Sequence, residues 1–227
     1  AFAYQSFIQA IGFFFGSGSG NYLSRALGAR DAVGAEKMAA TGFLTSFILA
    51  VTVALTGCAC LTPLCRMLGA TGEVLTDACD YMRYLLLATP FLVSQMSLNN
   101  QLRMQGNAFY AMIGVASGAV LNVILDPIFI FRLGMGVSGA SLSTAISQFV
   151  SWCLLLFGTT FNGNVHIRIR NFAPSRERYQ EIAAVGLPSL MRQSLGCFST
   201  ICLNWAAAKY AVPGCEASTI AAFSVVS

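Results

Sequence analysis

Residues 108–131 read AFYAMIGVASGAVLNVILDPIFIF, an apolar run with a single charged side chain, Asp126. At a rise of about 1.5 Å per residue, such a run is long enough to cross the hydrocarbon core of a bilayer as one helix. The apolar residues are continuous and do not alternate with polar ones, so a membrane β-strand is excluded. The run therefore predicts a transmembrane α-helix.

The rest of the chain has the same character. Hydrophobic residues make up 56% of the sequence and charged residues only 10%, against about 25% in soluble domains. The predicted helices cover residues 1–24, 38–62, 78–101, 108–131, 138–160 and 181–210, and another begins near residue 217. We therefore expect an all-α polytopic membrane protein. Because both ends of the chain lie in apolar runs, we expect a fragment of a longer protein.

The positions of Lys and Arg predict the orientation, since cytoplasmic loops carry an excess of both. With residue 1 outside, the outer loops hold Arg66 and Arg132. The inner loops hold the larger basic set: Arg25, Arg30, Lys37, Arg103, Arg168, Arg170, Arg176 and Arg178. This gives a transmembrane lobe over residues 1–160, a cytoplasmic connector over 161–180 and the start of a second lobe over 181–227. The net charge of +4 comes from these loops and does not indicate nucleic-acid binding.

The sequence gives no sign of enzyme chemistry. The spacing Cys58-x-Cys60 is not that of a zinc site, and the other cysteines lie mostly in apolar runs, where they behave as small hydrophobic residues. No phosphate-binding loop or nucleophile–base pair is recognisable. We expect no catalytic residues, no cofactor and no metal other than a coupling cation.

Asp126 is the strongest candidate for a functional residue. A charged Asp at the centre of a membrane helix costs roughly 2.5–3.5 kcal/mol on insertion scales, so such residues usually serve a function. Asn122 lies on the same helix face, and Thr144 of the next helix could approach Asp126 in a helical hairpin. A group of this kind can carry a proton or bind a cation. The alternative is that Asp126-Pro127 only shapes the end of a helix near Arg132.

Other polar and helix-breaking residues are candidates for a transport pathway. Asn99, Gln148 and Gln193 could line a cavity, and Pro188 could kink its helix and serve gating. Gly114 and Gly118 lie on one helix face, and a polar stripe follows on the next helix. This stripe consists of Ser141, Thr144, Gln148 and Ser151. Small residues at such spacing also favour close helix packing, so a purely structural role is the competing interpretation.

Several motifs, in this order, resemble the multidrug and toxic compound extrusion (MATE) transporters. They are GSGNYLSRALGARD at residues 18–31, LRMQGN at 102–107, LNVILDPIFIF at 121–131, GMGVSGA at 134–140 and GLPS at 186–189. Each motif is weak by itself, whereas their order and spacing are specific. The resemblance covers nearly the whole chain, from the second helix of the family to the start of the eighth.

The resemblance implies a MATE-like helical bundle, here an N-terminal lobe without its first helix plus the start of the C-terminal lobe. It implies a monomeric antiporter of the cytoplasmic membrane that exports small organic, often cationic, compounds in exchange for H+ or Na+. Asn122, Asp126 and Thr144 match a cation site of the DinF-like branch, whose remaining Asp would precede residue 1. Gln193, with no Glu within residues 187–208, departs from the NorM-like branch.

Two other functions remain open at this stage. A lipid-linked oligosaccharide flippase of the same superfamily would need a cationic cavity, yet the helix interiors carry almost no Lys or Arg beyond Arg192. A membrane receptor or scaffold would not transport at all, and no soluble sensor domain is visible in the sequence.

Overall fold

The computed structural model describes residues 2–67, 74–161, 165, 167 and 169–210, which are almost entirely helical. The α-helices of this part of the chain are α1 (Phe2–Gly28), α2 (Ala32–Ala59), α3 (Leu61–Met67), α4 (Val74–Met104), α5 (Ala108–Pro127), α6 (Gly136–Phe161) and α7 (Arg176–Tyr210). A π-helical segment, Ile128–Arg132, extends α5, and a 3-10 turn, Ile169–Asn171, precedes α7. The all-α prediction is confirmed, and the helix expected near residue 217 lies outside the described residues.

Short polar turns separate the first helices on the predicted cytoplasmic side. After α1, Arg30 adopts a left-handed backbone with φ of 60°, and the Asp31 side chain then caps α2 by accepting a hydrogen bond of 2.9 Å from the Gly34 N–H. Gly106, with φ of +86°, makes the turn between α4 and α5, where glycine avoids the steric cost of a left-handed backbone. These turns hold the helices as antiparallel neighbours.

The structure differs from the sequence prediction at several helix boundaries. The predicted helix over 38–62 is divided at Cys60, and α3 follows with Pro63 in its first turn, where a missing N–H costs little. The helix predicted over 78–101 is α4, which begins earlier and ends later. Helix α7 begins at Arg176, within the connector predicted over residues 161–180.

The end of α5 has an unusual local geometry. Pro127 has no N–H to continue the α-helical hydrogen bonds, and the next turn widens. The Leu133 N–H bonds to the Ile128 carbonyl at 3.0 Å, which is the spacing of a π-helix. π-Helical turns inside α-helices often mark functional sites, and this one directly follows Asp126-Pro127.

Helix α4 forms the centre of the bundle, since it contacts α1, α2, α3, α5 and α6. Polar residues of the described helices, such as Ser19, Gln95 and Gln101, are buried, whereas Val123 and Phe109 are 70% exposed. This distribution suits a bilayer, in which apolar side chains meet lipid and polar groups need partners inside the protein.

Three of the described helical segments are long and apolar enough to cross a membrane, namely Ala32–Ala59, Ala108–Arg132 and Ser138–Thr160. The other long helices carry more polar residues. Helix α1, for example, places Gln5, Gln9 and Ser19 among the neighbouring helices. A helix surrounded by protein can contain polar side chains that a lipid-facing helix cannot.

Helix α7 packs along α1 through close backbone contacts. A Cβ atom added to Gly18 would lie 2.5 Å from the Ile182 carbonyl oxygen, and one added to Gly186 would lie 2.6 Å from the Phe14 carbonyl oxygen. At the predicted cytoplasmic end, the side chains of Arg25 and Glu181 form an ion pair between the same two helices. Glycine at both positions is therefore what allows the two helices to approach.

The first prediction concerns this contact. Gly18→Ala should lower the melting temperature of the purified protein, because the new methyl group meets backbone that cannot move aside and overpacking costs about 1–3 kcal/mol. Gly28→Ala is the matched control, since nothing lies within 4 Å of its added Cβ atom. A thermal-shift measurement in detergent compares the two variants. Equal melting temperatures would contradict the close α1–α7 contact.

Candidate functional site

Asp126 lies near the end of α5, half-buried against α6. The hydroxyl group of Ser143 donates a hydrogen bond to its Oδ1 atom, and the Asn122 Nδ2 atom lies 3.4 Å from the same oxygen. Both partners are neutral. The one ion pair among the described residues joins Arg25 and Glu181, so no Lys or Arg in that part of the chain pairs with Asp126. The carboxyl group is thus oriented by neutral hydrogen-bond donors.

Asn122 connects Asp126 to two hydroxyl groups of α6. Its Nδ2 atom is 3.1 Å from Ser143 Oγ and 3.4 Å from Thr144 Oγ1. Thr144 also donates to the carbonyl of Ala140 at 2.9 Å, which leaves its oxygen free to accept from Asn122. The structure therefore brings together the three residues that the sequence predicts for a cation site, with Thr144 reaching Asn122 and Ser143 reaching the carboxyl group.

A cavity of about 340 Å³ lies beside this group of residues, between α1, α4, α5 and α6. It is lined by Gln5, Tyr81, Gln95, Val115, Gly118, Ala119, Asn122, Thr144, Ser147 and Gln148. Among the described residues, this lining contains amide, hydroxyl and phenol groups and no charged side chain. Such a surface can hydrogen-bond a polar ligand without holding a charge of its own.

Glycine residues on α5 bring α6 close enough to complete the site. A Cβ atom on Gly114 would lie 2.3 Å from the Leu155 side chain, and one on Gly118 would lie 2.8 Å from Ser151 Cβ. Ser151 uses this proximity to donate a 2.6 Å hydrogen bond to the Gly114 carbonyl and to accept one of 2.7 Å from Gln95. Gln95 of α4, Ser151 of α6 and the backbone of α5 are thereby joined.

The remaining candidates occupy other places. Asn99 donates a 3.0 Å hydrogen bond to the Ala111 carbonyl and lines a neighbouring hollow of about 500 Å³ that also contains Arg103. Pro188 and Gln193 lie on α7, which continues through the proline without interruption. Neither residue belongs to the lining of the cavity beside Asp126.

Sequence reasoning missed Ser143. The polar stripe on α6 was read from Ser141, which in the structure donates to the Ser138 carbonyl of its own helix. The face of α6 that meets α5 also contains a row at intervals of four residues, which shares Ser151 with the predicted stripe: Gly139, Ser143, Ser147 and Ser151. That row of small residues, opposite the glycines of α5, is the signal that could have identified Ser143.

Comparison with known proteins identifies the family of this chain. A family model described as MatE matches residues 1–128, which is more than half of the chain. The chain belongs to the MATE family. The motif order had predicted this membership, and the prediction is confirmed. As a MATE chain it is a multi-pass membrane protein, again as predicted.

Relatives of this MATE chain include a multidrug export protein and a multidrug resistance transporter of known structure. The multidrug export protein MepA of Staphylococcus haemolyticus is 30% identical over 204 residues, which cover 89% of this chain and 45% of that protein. The outward-facing structure of a multidrug resistance MATE family transporter of the MOP superfamily has a TM-score of 0.84 at 34% identity, covering 97% of this chain and 49% of the other. The chain thus spans about half the length of these relatives.

A third relative is described by the polarity of its binding pocket. It is a MOP superfamily transporter from Pyrococcus furiosus, described as having a binding pocket of reverse polarity that suggests a different function. Its structure has a TM-score of 0.81 at 34% identity and covers 96% of this chain and 48% of the other. The polarity of the cavity is therefore the property to consider when a function is proposed for this MATE chain.

The second prediction tests the role of Ser143. Ser143→Ala should lower the free energy of unfolding by roughly 1 kcal/mol, because the half-buried carboxyl group of Asp126 loses one of its two hydrogen-bond donors. The matched control is Ser117→Ala on α5, whose hydroxyl donates only to the Gly114 carbonyl of its own helix. Thermal-shift or denaturant unfolding of the purified protein gives the comparison. If both variants were equally stable, Ser143 would not support Asp126.

Proposed function

We propose that this chain forms the coupling part of a transporter, not an enzyme, that exports small organic compounds in exchange for H+ or Na+. The observation that carries the proposal is the Asp126 carboxyl group, held in a membrane helix by the neutral donors Ser143 and Asn122. An acid without a cationic partner in such surroundings gains from binding a proton or a metal cation. The multidrug export relatives support the choice of transport over other membrane functions.

The site offers suitable chemistry for either ion. A proton on Asp126 removes the charge of this half-buried group and changes the hydrogen bond with Ser143. A sodium ion, like other hard cations, prefers oxygen ligands, and the carboxylate, Ser143 Oγ and Thr144 Oγ1 supply them. The Asn122 amide now points its nitrogen at all three groups, so it would have to rotate to present its oxygen to a metal ion.

Coupling follows if ion binding and substrate binding favour different states of the protein. The ion site and the cavity share Asn122 and Thr144, so a change at Asp126 alters the wall that a substrate touches. Protonation or ion binding at Asp126 would also alter the contact between α5 and α6, because Asp126 lies on one of these helices and its partner Ser143 on the other. A cation bound at Asp126 and a cationic substrate in the cavity would repel each other, which suits exchange.

The cavity favours organic cations or neutral compounds over anions. Its described lining contains no Lys or Arg, while the carboxyl group of Asp126 lies next to Asn122 on its wall. A flippase for a pyrophosphate-linked lipid would need basic groups to balance the phosphate charge. Basic residues elsewhere in the complete protein would be required for that function, and this cavity does not supply them.

The third prediction tests the coupling residue in the complete reading frame that contains this chain. Asp126→Asn should reduce ethidium efflux from cells about tenfold or more, since tenfold corresponds to only about 1.4 kcal/mol and the variant can neither bind nor release a proton. Protonophore addition and variation of external Na+ identify the coupling ion. Ser117→Ala, at equal protein levels, serves as the control that keeps wild-type efflux.

Three results would each contradict a different part of the proposed function. Wild-type efflux in Asp126→Asn would reduce Asp126 to a structural residue and overturn the coupling proposal. Reconstituted protein that moves an anionic dye but not ethidium would overturn the proposed substrate class. Failure of both variants and of the wild type to move any dye would favour the flippase or receptor function.

A further inference from the structure

Two cysteines come together at the end of the bundle opposite the cytoplasmic turns. Cys65 lies in α3 and Cys79 in the first turns of α4, and both pack in one apolar cluster with Met82. The distribution of Lys and Arg places this end of the helices outside the cytoplasm. Cys58 and Cys60, which precede α3, are exposed and lie outside this cluster.

The thiol groups of Cys65 and Cys79 contact each other directly. Cys65 is buried, with 1% of its surface exposed, whereas Cys79 is half-buried and accessible. Burial, followed by a hydrogen bond with the Cys79 thiol, raises the pKa of Cys65 to about 11. The helix α3 that carries Cys65 is too short to span a membrane, so this thiol lies in the connection between two spans.

These features assign different roles to the two thiols. The thiolate is the nucleophile in thiol–disulfide exchange, and a thiol that stays protonated reacts slowly. Cys79, which is accessible, is therefore the group that meets an external disulfide first. Cys65 is slow to react with an external disulfide, but it packs beside Cys79, so its attack on the mixed disulfide is intramolecular.

We propose that Cys65 and Cys79 form a disulfide bond on the outer face of the protein when a small-molecule or protein disulfide is available as oxidant. In the first step the sulfur of Cys79 attacks the external disulfide, forming a mixed disulfide and releasing one thiol. In the second step Cys65 attacks the Cys79 sulfur and releases the second thiol. The two protons of the cysteines end on the two released thiols, so the exchange is balanced.

The bond would join α3 to α4 across residues 66–78. A crosslink across such a segment restricts the unfolded chain and so stabilises the folded one. Because α4 contacts most of the bundle, the link would fix the outer end of its central helix. The site would also make the stability of the protein sensitive to the redox state outside the cell.

The fourth prediction is tested with oxidised glutathione, which does not cross membranes, added to intact cells that express the complete reading frame. Free thiols are then blocked, and the protein is digested with trypsin without reduction. Cleavage after Arg66 separates the two cysteines, so the bond should appear as a peptide pair joining residues 38–66 to residues 67–83. The pair should disappear on reduction.

Variants identify which cysteine takes part, because residues 38–66 also contain Cys58 and Cys60. The double variant C58S/C60S should keep the peptide pair, whereas C65S and C79S should each lose it. Oxidation should also raise the melting temperature of the wild type and of C58S/C60S but not of C79S. These measurements do not involve transport, so they stand or fall independently of the proposed function.

Three results would overturn the proposal. The first is the absence of the peptide pair in oxidised wild-type cells with normal amounts of protein. The second is a pair that forms only after the membrane is opened, since the thiols would then face inward. The third is a pair that persists in C65S, which would assign the bond to Cys58 or Cys60.

Discussion

The close contact between α5 and α6 is the interaction on which the rest of the site depends. Gly114 and Gly118 remove the side chains that would hold the helices apart, and Ser151 and Leu155 of α6 fill the space. Only at this separation can the Ser143 hydroxyl reach the carboxyl group of Asp126 from the other helix. In a bilayer, where apolar side chains gain little from leaving lipid, packing and hydrogen bonds of this kind hold helices together.

The same contact explains how the bundle contains so many polar side chains. Gln95 of α4 donates to Ser151, which donates to the α5 backbone, so one chain of hydrogen bonds links three helices. A second link joins Gln101 of α4 to Ser19 of α1 at 2.9 Å. Both begin on the central helix. Hydrogen bonds in the polar interior thus hold the helices together in one arrangement, while the apolar outer face of α5 contacts lipid.

Much of this architecture could be predicted from the sequence, because membrane helices have a strong signal in the length of their apolar runs. The pairing of Asn122 with Asp126 followed from their spacing of four residues, and the approach of Thr144 followed from the short turn between the helices. Membership of the family followed from the order of several weak motifs. Whether Asp126 couples transport to an ion stays a prediction.

The sequence predicted local detail less well. Helix α3 was missed because a seven-residue helix after Cys60 has no periodicity long enough to recognise. Ser143 was missed because two rows of small polar residues on α6 are equally regular, and only the position of the neighbouring helix distinguishes them. Pro188 lies within α7, which is helical on both sides of it, and its role as a kink or in gating stays a prediction.

The π-helical turn Ile128–Arg132 has a mechanical consequence. Such a turn contains one residue more than an α-helical turn would need, and each residue of an α-helix corresponds to a rotation of about 100°. If the turn tightened, the residues beyond it would swivel around the helix axis while Asn122 and Asp126 kept their positions. Tightening of this turn would therefore rotate Phe131, whose side chain is 81% exposed, around the helix axis.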